Sequence, residues 1–194
     1  MKFKKIQLGK AGTMNAVYVS QDGDIISLSG ANITHKDFKD ALLALVPHLA
    51  LLTEQKEAFG LSLGELQMQA DAEGGLRGRI AVTSVTISGD EIALSGTRIL
   101  DRGDIIQVNS PKINVVDDER YEFVSELSLA IDNLKYEAEQ YICERKWGLV
   151  QSEIDFEKAG DPFAGVEAGE VPDVTIEVKT AKSTKRSKKV KEVA

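Results

Sequence analysis

The sequence predicts an α+β fold: an antiparallel sheet built from hairpins, with two main helices on one face. Three observations carry that prediction. Short segments rich in β-branched residues are divided by Gly-Asp turns, and two longer stretches repeat apolar residues at steps of three and four. The chain of 194 residues is 42% hydrophobic and 28% charged, enough for one core, which places a single globular domain over 1–150. An acidic, Gly- and Pro-bearing linker follows over 151–173, then a basic tail over 174–194 that reads as disordered when free.

Phe3 to Leu8 alternates apolar and polar residues and predicts a short strand. Ala16 to Ser20 and Ile25 to Ser29 flank Gln21-Asp22-Gly23-Asp24, a hairpin signal because the turn requires positive φ. Thr34 stands three residues before Asp37 in a weak capping box, so a helix begins near His35. Phe38, Leu42, Leu45, Leu49 and Leu52 follow at helical spacing, and Ala41 to Leu52 is apolar on nearly every side, which calls for cover on more than one face. Pro47 either kinks that helix or restarts it. The pattern over 60–66 is ambiguous, and Gly74-Gly75 marks a loop. Ile80 to Ile87, Glu91 to Leu100 and Asp104 to Val108 then predict a three-stranded meander ended by Pro111.

The longest element is a helix from Asp117 to Trp147. Val124, Leu127, Ile131, Leu134, Ala138 and Tyr141 form one apolar stripe, with Asp117, Asp118 and Glu119 at the expected positive end and Arg145 and Lys146 at the negative end. Leu129, Tyr136 and Cys143 recur every seven residues on the other side. They are either a second face of core packing or a candidate subunit interface. Glu122, Glu126, Asp132, Glu137 and Glu139 lie between the stripes, an acidic surface that repels nucleic acid.

Two segments look alike at a spacing of 80 residues: Gly23-Asp24-Ile25-Ile26 through Ile33, and Gly103-Asp104-Ile105-Ile106 through Ile113. Each precedes a helix. The match reads either as a duplicated hairpin-helix unit or as two uses of the same turn chemistry.

No catalytic signature emerges. His35 and His48 have no partner at metal-ligand spacing and read as a helix cap and a core histidine; Cys143 stands alone; no phosphate loop, nucleophile elbow or paired-acid arrangement occurs. The expectation is a non-enzymatic protein with no cofactor and no metal. Asn32-Ile33-Thr34 and Arg102-Gly103-Asp104 match glycosylation and adhesion patterns that mean nothing without secretion, and Asp161-Pro162-Phe163 is a weak docking motif. No apolar run reaches the length needed to span a bilayer and no signal sequence opens the chain, so the expected location is cytoplasmic, without membrane contact.

Charge is the most suggestive functional feature. Lys179, Lys182, Lys185, Arg186, Lys188, Lys189 and Lys191 supply seven of 24 basic residues, whereas Glu192 is the sole acid among them out of 31, so an acidic body precedes a basic tail. Such a tail neutralises phosphates without choosing a base, having no aromatic residue for stacking. The opposing reading is a tail that folds back on the acidic body. Any contact from the body is expected from Lys2, Lys4, Lys5, Arg77, Arg79, Arg98 and Arg102 on the sheet side.

The run VTSVTISGDEIALSGTRILDRGDIIQVNSPKI followed by YEFVSELSLAIDNLKYEAEQYI resembles small early-region proteins of tailed bacteriophages, encoded near genes for DNA replication and recombination. That resemblance covers roughly residues 80–145 and implies a role at DNA or host machinery, within the host cytoplasm. The order of strands and helices is also similar to DNA sliding clamps, but clamp helices present basic residues to the duplex and this long helix is acidic. The expectation is an accessory binding protein of phage-type DNA metabolism, homo-oligomeric, with nucleic acid or a host protein as partner. The alternative is an oligomeric module that sequesters a host factor or ligand.

Overall fold

The computed structural model describes residues 1–70 and 75–148. Residue contacts divide the chain into Met1–Gln151 and Ser152–Ala194. The predicted linker, the Asp161-Pro162-Phe163 motif and the seven tail cations lie outside the described residues.

The β-rich segments fold as two antiparallel meanders. The first is β1 (Lys2–Leu8), β2 (Thr13–Val19) and β3 (Ile25–Ile33); the second is β4 (Ile80–Ser88), β5 (Glu91–Ile99) and β6 (Ile105–Asn109). The strand order is β3-β2-β1-β4-β5-β6, and the two-residue β7 (Ile113–Asn114) pairs with β5 beyond the end of β6. The meanders join at β1 and β4, where Ile6 faces Val85 between the pairs Lys5–Thr86 and Gln7–Ser84. The fold is thus α+β, with an antiparallel sheet of hairpins as the alternation predicts.

The two outer hairpins share one register. Val19 pairs with Ile25 and Ile99 with Ile105; Ala16 pairs with Leu28 and Gly96 with Val108, so the five pairs from Asn15–Ser29 to Val19–Ile25 each have a counterpart 80 residues along. Their turns also agree. Gly23 and Gly103 sit at φ 93° and 88°, a region open to glycine, and donate their N–H groups to Ser20 O and Leu100 O. The likeness stops at the inner strands, because β1 and β4 carry bulges at different points: Ile6 pairs with Ala16, but Val82 pairs with Gly96.

Alternation along the strands buries one face. Met14, Ala16 and Tyr18 of β2, Ile80, Val82 and Val85 of β4, and Ile92 and Leu94 of β5 enter a single core with the helices. Gly96 stands between them because a Cβ there would collide with Ala81 O, and with Leu49 Cδ2 at 2.6 Å.

Among the described residues, five α-helices connect and cover this face. In α1 (Lys36–Ala44) the cap is His35, whose Nδ1 accepts from the Asp37 N–H at 3.3 Å; Thr34, expected as the capping residue, is buried and instead donates its hydroxyl to Gly12 O. Pro47 restarts the helix. It falls in the first turn of α2 (Val46–Leu52), where a missing N–H costs nothing. Val46, His48, Leu49 and Ala50 are all buried, so this stretch is covered on several sides as its composition requires. The ambiguous segment forms α3 (Leu63–Ala70), opened by a capping box: Glu65 Oε2 accepts from the Ser62 N–H and hydroxyl at 2.8 and 2.7 Å. A single turn, α4 (Leu76–Arg79), leads into β4.

The long helix is shorter than its sequence pattern. α5 spans Val124–Cys143, so Asp117, Asp118 and Glu119 precede it and Arg145 and Lys146 follow it. Asp118 folds the approach to the helix: it takes the Arg120 guanidinium at 2.6 Å and the N–H groups of Asn114 and Arg120. These bonds hold its carboxyl well below the usual carboxylate range. Beyond the helix, Arg145 takes φ 55° and reverses the chain. Leu127, Ile131, Leu134, Ala138 and Tyr141 are buried as the stripe predicts, and the Tyr141 hydroxyl donates to Asn32 O at 2.6 Å.

Tyr121, before α5, is buried against α2. Its hydroxyl lies 2.7 Å from His48 Nδ1, satisfying two polar groups that the core would otherwise leave bare. Burial lowers the His48 pKa from 6.5 to about 4. The unfolded chain therefore takes up this proton near pH 6.5 and the folded chain only near pH 4. Stability from neutral His48 is complete above pH 6.5 and falls across that window by about 3 kcal/mol. Urea denaturation at a series of pH values should show this loss, and His48→Gln should flatten it. Gly96→Ala should lower stability by about 1–3 kcal/mol through overpacking, measured the same way at pH 7.

Candidate nucleic-acid interface

The sheet is covered on one side; its other side carries polar, mostly uncharged residues toward the middle of the strands and exposed Ile25, Ile99 and Ile105 at the turn ends of the two outer hairpins. Ile6 and Val85 point into the core, so Lys5, Gln7 and Thr86 point outward; across the first hairpin Asn15 and Val17 stand beside Ser29 and Ser27. Across the second, Ser95 and Thr97 stand beside Asn109 and Gln107. Ser29 donates its hydroxyl to Asn15 Oδ1 at 3.3 Å. Lys5, Gln7, Asn15, Val17, Ser27 and Ser29 line a shallow groove of about 270 Å³.

Acid is nearly absent from the strands. Of the residues in β1 to β7, Glu91 alone is a carboxylate, and Lys112 holds it at 3.0 Å. The strands carry four basic residues, Lys2, Lys4, Lys5 and Arg98. Lys2 and Lys5 face outward, Lys4 sits in the β1 bulge between Phe3 and Lys5, and all three are exposed. Among the described residues, the strands thus carry few carboxylates in a chain with 31 acids.

The arginines expected beside them are elsewhere. Arg98 lies on the covered face and binds Glu57 Oε1 at 2.8 Å as well as the Gln55 side chain. Arg79 binds Asp101 at 2.9 Å and lies 3.6 Å from Glu57, and Lys56 completes the cluster at 2.8 Å from Asp101. These cations are occupied by carboxylates. Arg77 belongs to α4, and Arg102 to the turn between β5 and β6, so neither extends the Lys2, Lys4 and Lys5 group.

The helical side has the opposite character. Glu122, Glu126, Asp132 and Glu139 are exposed or half-buried along α5 and its approach, whereas Glu137 is buried and paired with Lys146 at 2.8 Å. Lys146 also reaches Asp37 at 2.6 Å and so ties the end of α5 to the start of α1; the two carboxylates hold its ammonium group above the usual lysine range. Leu129 is 72% and Tyr136 56% exposed, and Cys143 is exposed. The second stripe therefore does not pack into this domain's core. One seam, against α1 and the sheet, is enough to hold α5, and the expected second face of core packing is corrected accordingly.

Sequence reasoning found the lysines and missed the uncharged surface around them. Its signal was present in the polar positions of β2, Thr13 and Asn15, alternating with Met14 and Ala16. Among the described residues no group of three or more His, Cys, Asp or Glu side chains is placed to hold a metal ion, and no helix is long and apolar enough to cross a membrane. The chain matches no family model, no curated protein and no solved structure.

Because Leu129 and Tyr136 touch water rather than core, Leu129→Ser and Tyr136→Ser should each change unfolding free energy by less than about 0.5 kcal/mol. Leu134→Ala, on the buried stripe, should cost about 2–5 kcal/mol in the same urea titration.

Proposed function

We propose that the protein is a non-enzymatic accessory factor of phage-type DNA metabolism that binds nucleic acid without sequence choice. The basic tail, Lys179 to Lys191, supplies the main attraction to phosphates, and the open face of the sheet supplies the surface beside which the strand lies. The observation that carries this reading is the near exclusion of acid from the strands of the described residues in an otherwise acidic chain. An exposed face of hydroxyl, amide and ammonium groups can donate hydrogen bonds to phosphate oxygens, and it presents no aromatic ring among the outward positions named above for stacking on bases. The resemblance of residues 80–145 to early-region phage proteins agrees with that role.

A second reading has its own support. The exposed line of Leu129, Tyr136 and Cys143 is the kind of surface that a second copy or a host protein covers, as a homo-oligomer or a sequestering module requires. Molar mass in solution, with and without nuclease treatment of the host lysate, separates the two readings: a protein partner survives nuclease.

Filter binding of a single-stranded oligonucleotide across a salt series tests the main reading. Affinity should fall steeply with salt, and removing residues 179–194 should weaken binding and reduce the log-log slope by about 0.7 for each lost phosphate contact. Lys5→Glu should weaken binding several-fold at low salt with an unchanged circular dichroism spectrum. Salt-insensitive binding, or no loss on truncation, contradicts the proposal.

A further inference from the structure

At one end of the sheet the start of β1, the end of β2, the turn between β4 and β5 and one turn of α5 enclose a cavity of about 490 Å³. Its floor is apolar, formed by Phe3, Val19 and Ile87, with the Phe3 ring held against Tyr18 at a centroid distance of 5.8 Å. Its charged lining consists of Met1 with its terminal amine, Lys2, Lys4 and Lys135, joined by Ser88 and Gly89. No carboxylate lines it. Asp132 lies beside it and holds Lys135 at 2.9 Å, and Glu139 lies 3.7 Å from the Met1 amine.

We propose that this cavity is a phosphate-binding site that takes a phosphorylated terminus of nucleic acid or a free nucleotide. Lys2, Lys4 and Lys135 line one cavity where two strands end and a helix passes, so its charge suits a compact anion better than an extended one. Lysine supplies point charge without demanding one fixed geometry, and the Ser88 hydroxyl adds a donor. The apolar floor suits the ribose or base behind the phosphate, and the volume is in the range of small-molecule sites. Lys135 is the informative member. It sits on the acidic helix, paired with Asp132 one turn away, and is the lining cation that the strands do not supply. An approaching phosphate replaces Asp132 as its partner. The inference deepens the nucleic-acid reading by assigning a place on the folded domain for a phosphate end, next to Lys5 and the open face.

The test is residue-resolved NMR on the full chain, titrated separately with inorganic pyrophosphate, a 5′-phosphorylated dinucleotide and the same dinucleotide with a 5′-hydroxyl. Saturable shifts of the Ser88, Gly89 and Lys135 amides with both phosphate ligands are expected, with at least tenfold weaker binding of the 5′-hydroxyl form. Lys135→Gln and Lys4→Gln should each weaken binding about fivefold or more, whereas Lys39→Gln, exposed on α1, should leave it unchanged. Equal binding of the two dinucleotides, shifts confined to residues 179–191, or indifference to Lys135→Gln overturns the site. A response to pyrophosphate but not to the phosphorylated dinucleotide assigns it to a free polyphosphate and overturns the terminus. Loss of this site leaves long-strand binding through the tail intact, so its failure is distinct from failure of the proposed function.

Discussion

The structure depends on the pairing of β1 with β4. Each meander alone is a three-stranded sheet with one apolar face. Joining them at Ile6 and Val85 places two half-faces side by side, over which α1, α2 and α5 lie as one layer. The same seam decides what stays open. Lys5, Gln7 and Thr86 occupy its outward side because Ile6 and Val85 occupy the inward one, and a shift of one residue would exchange the two sets. The core and the candidate interface are therefore two consequences of a single register.

Charge follows the layers. Carboxylates gather on α5, on the loops and at the Asp118 turn, where they accept hydrogen bonds from N–H groups and ammonium or guanidinium partners. The strands are almost free of them. That segregation needs no ligand to account for the core-facing positions, which must be apolar. On the solvent side charges of both signs are few, Glu91 on β5 and Lys2, Lys4 and Lys5 on β1.

Periodicity made most of the fold legible. The glycine turns at Gly23 and Gly103 placed the strands beside them, and the stripe from Leu127 to Tyr141 placed the long helix, because those signals are local. The ends of that helix were misplaced for a physical reason: Asp117, Asp118 and Glu119 suit a helix start by charge, but Asp118 satisfies Asn114 and Arg120 instead and forms a turn. His35 outcompeted Thr34 as a cap because Thr34 is taken by Gly12, a partner distant in sequence. The cationic set was half legible. Lys2, Lys4 and Lys5 are adjacent in the chain, whereas the fate of Arg79 and Arg98 rests on Glu57 and Asp101, and the place of Lys135 rests on how α5 crosses β1. Such contacts leave no periodic trace.

Native-state hydrogen exchange tests the central claim, that one seam unites the two meanders, most directly. The ladder amides of β1 and β4 should exchange slowest, and their opening free energy should equal that of global unfolding in denaturant, for both meanders alike. If the ladder from β4 to β6 keeps its protection under conditions where β1 to β3 has already exchanged, or the reverse, the two meanders are separate folding units and the account is contradicted.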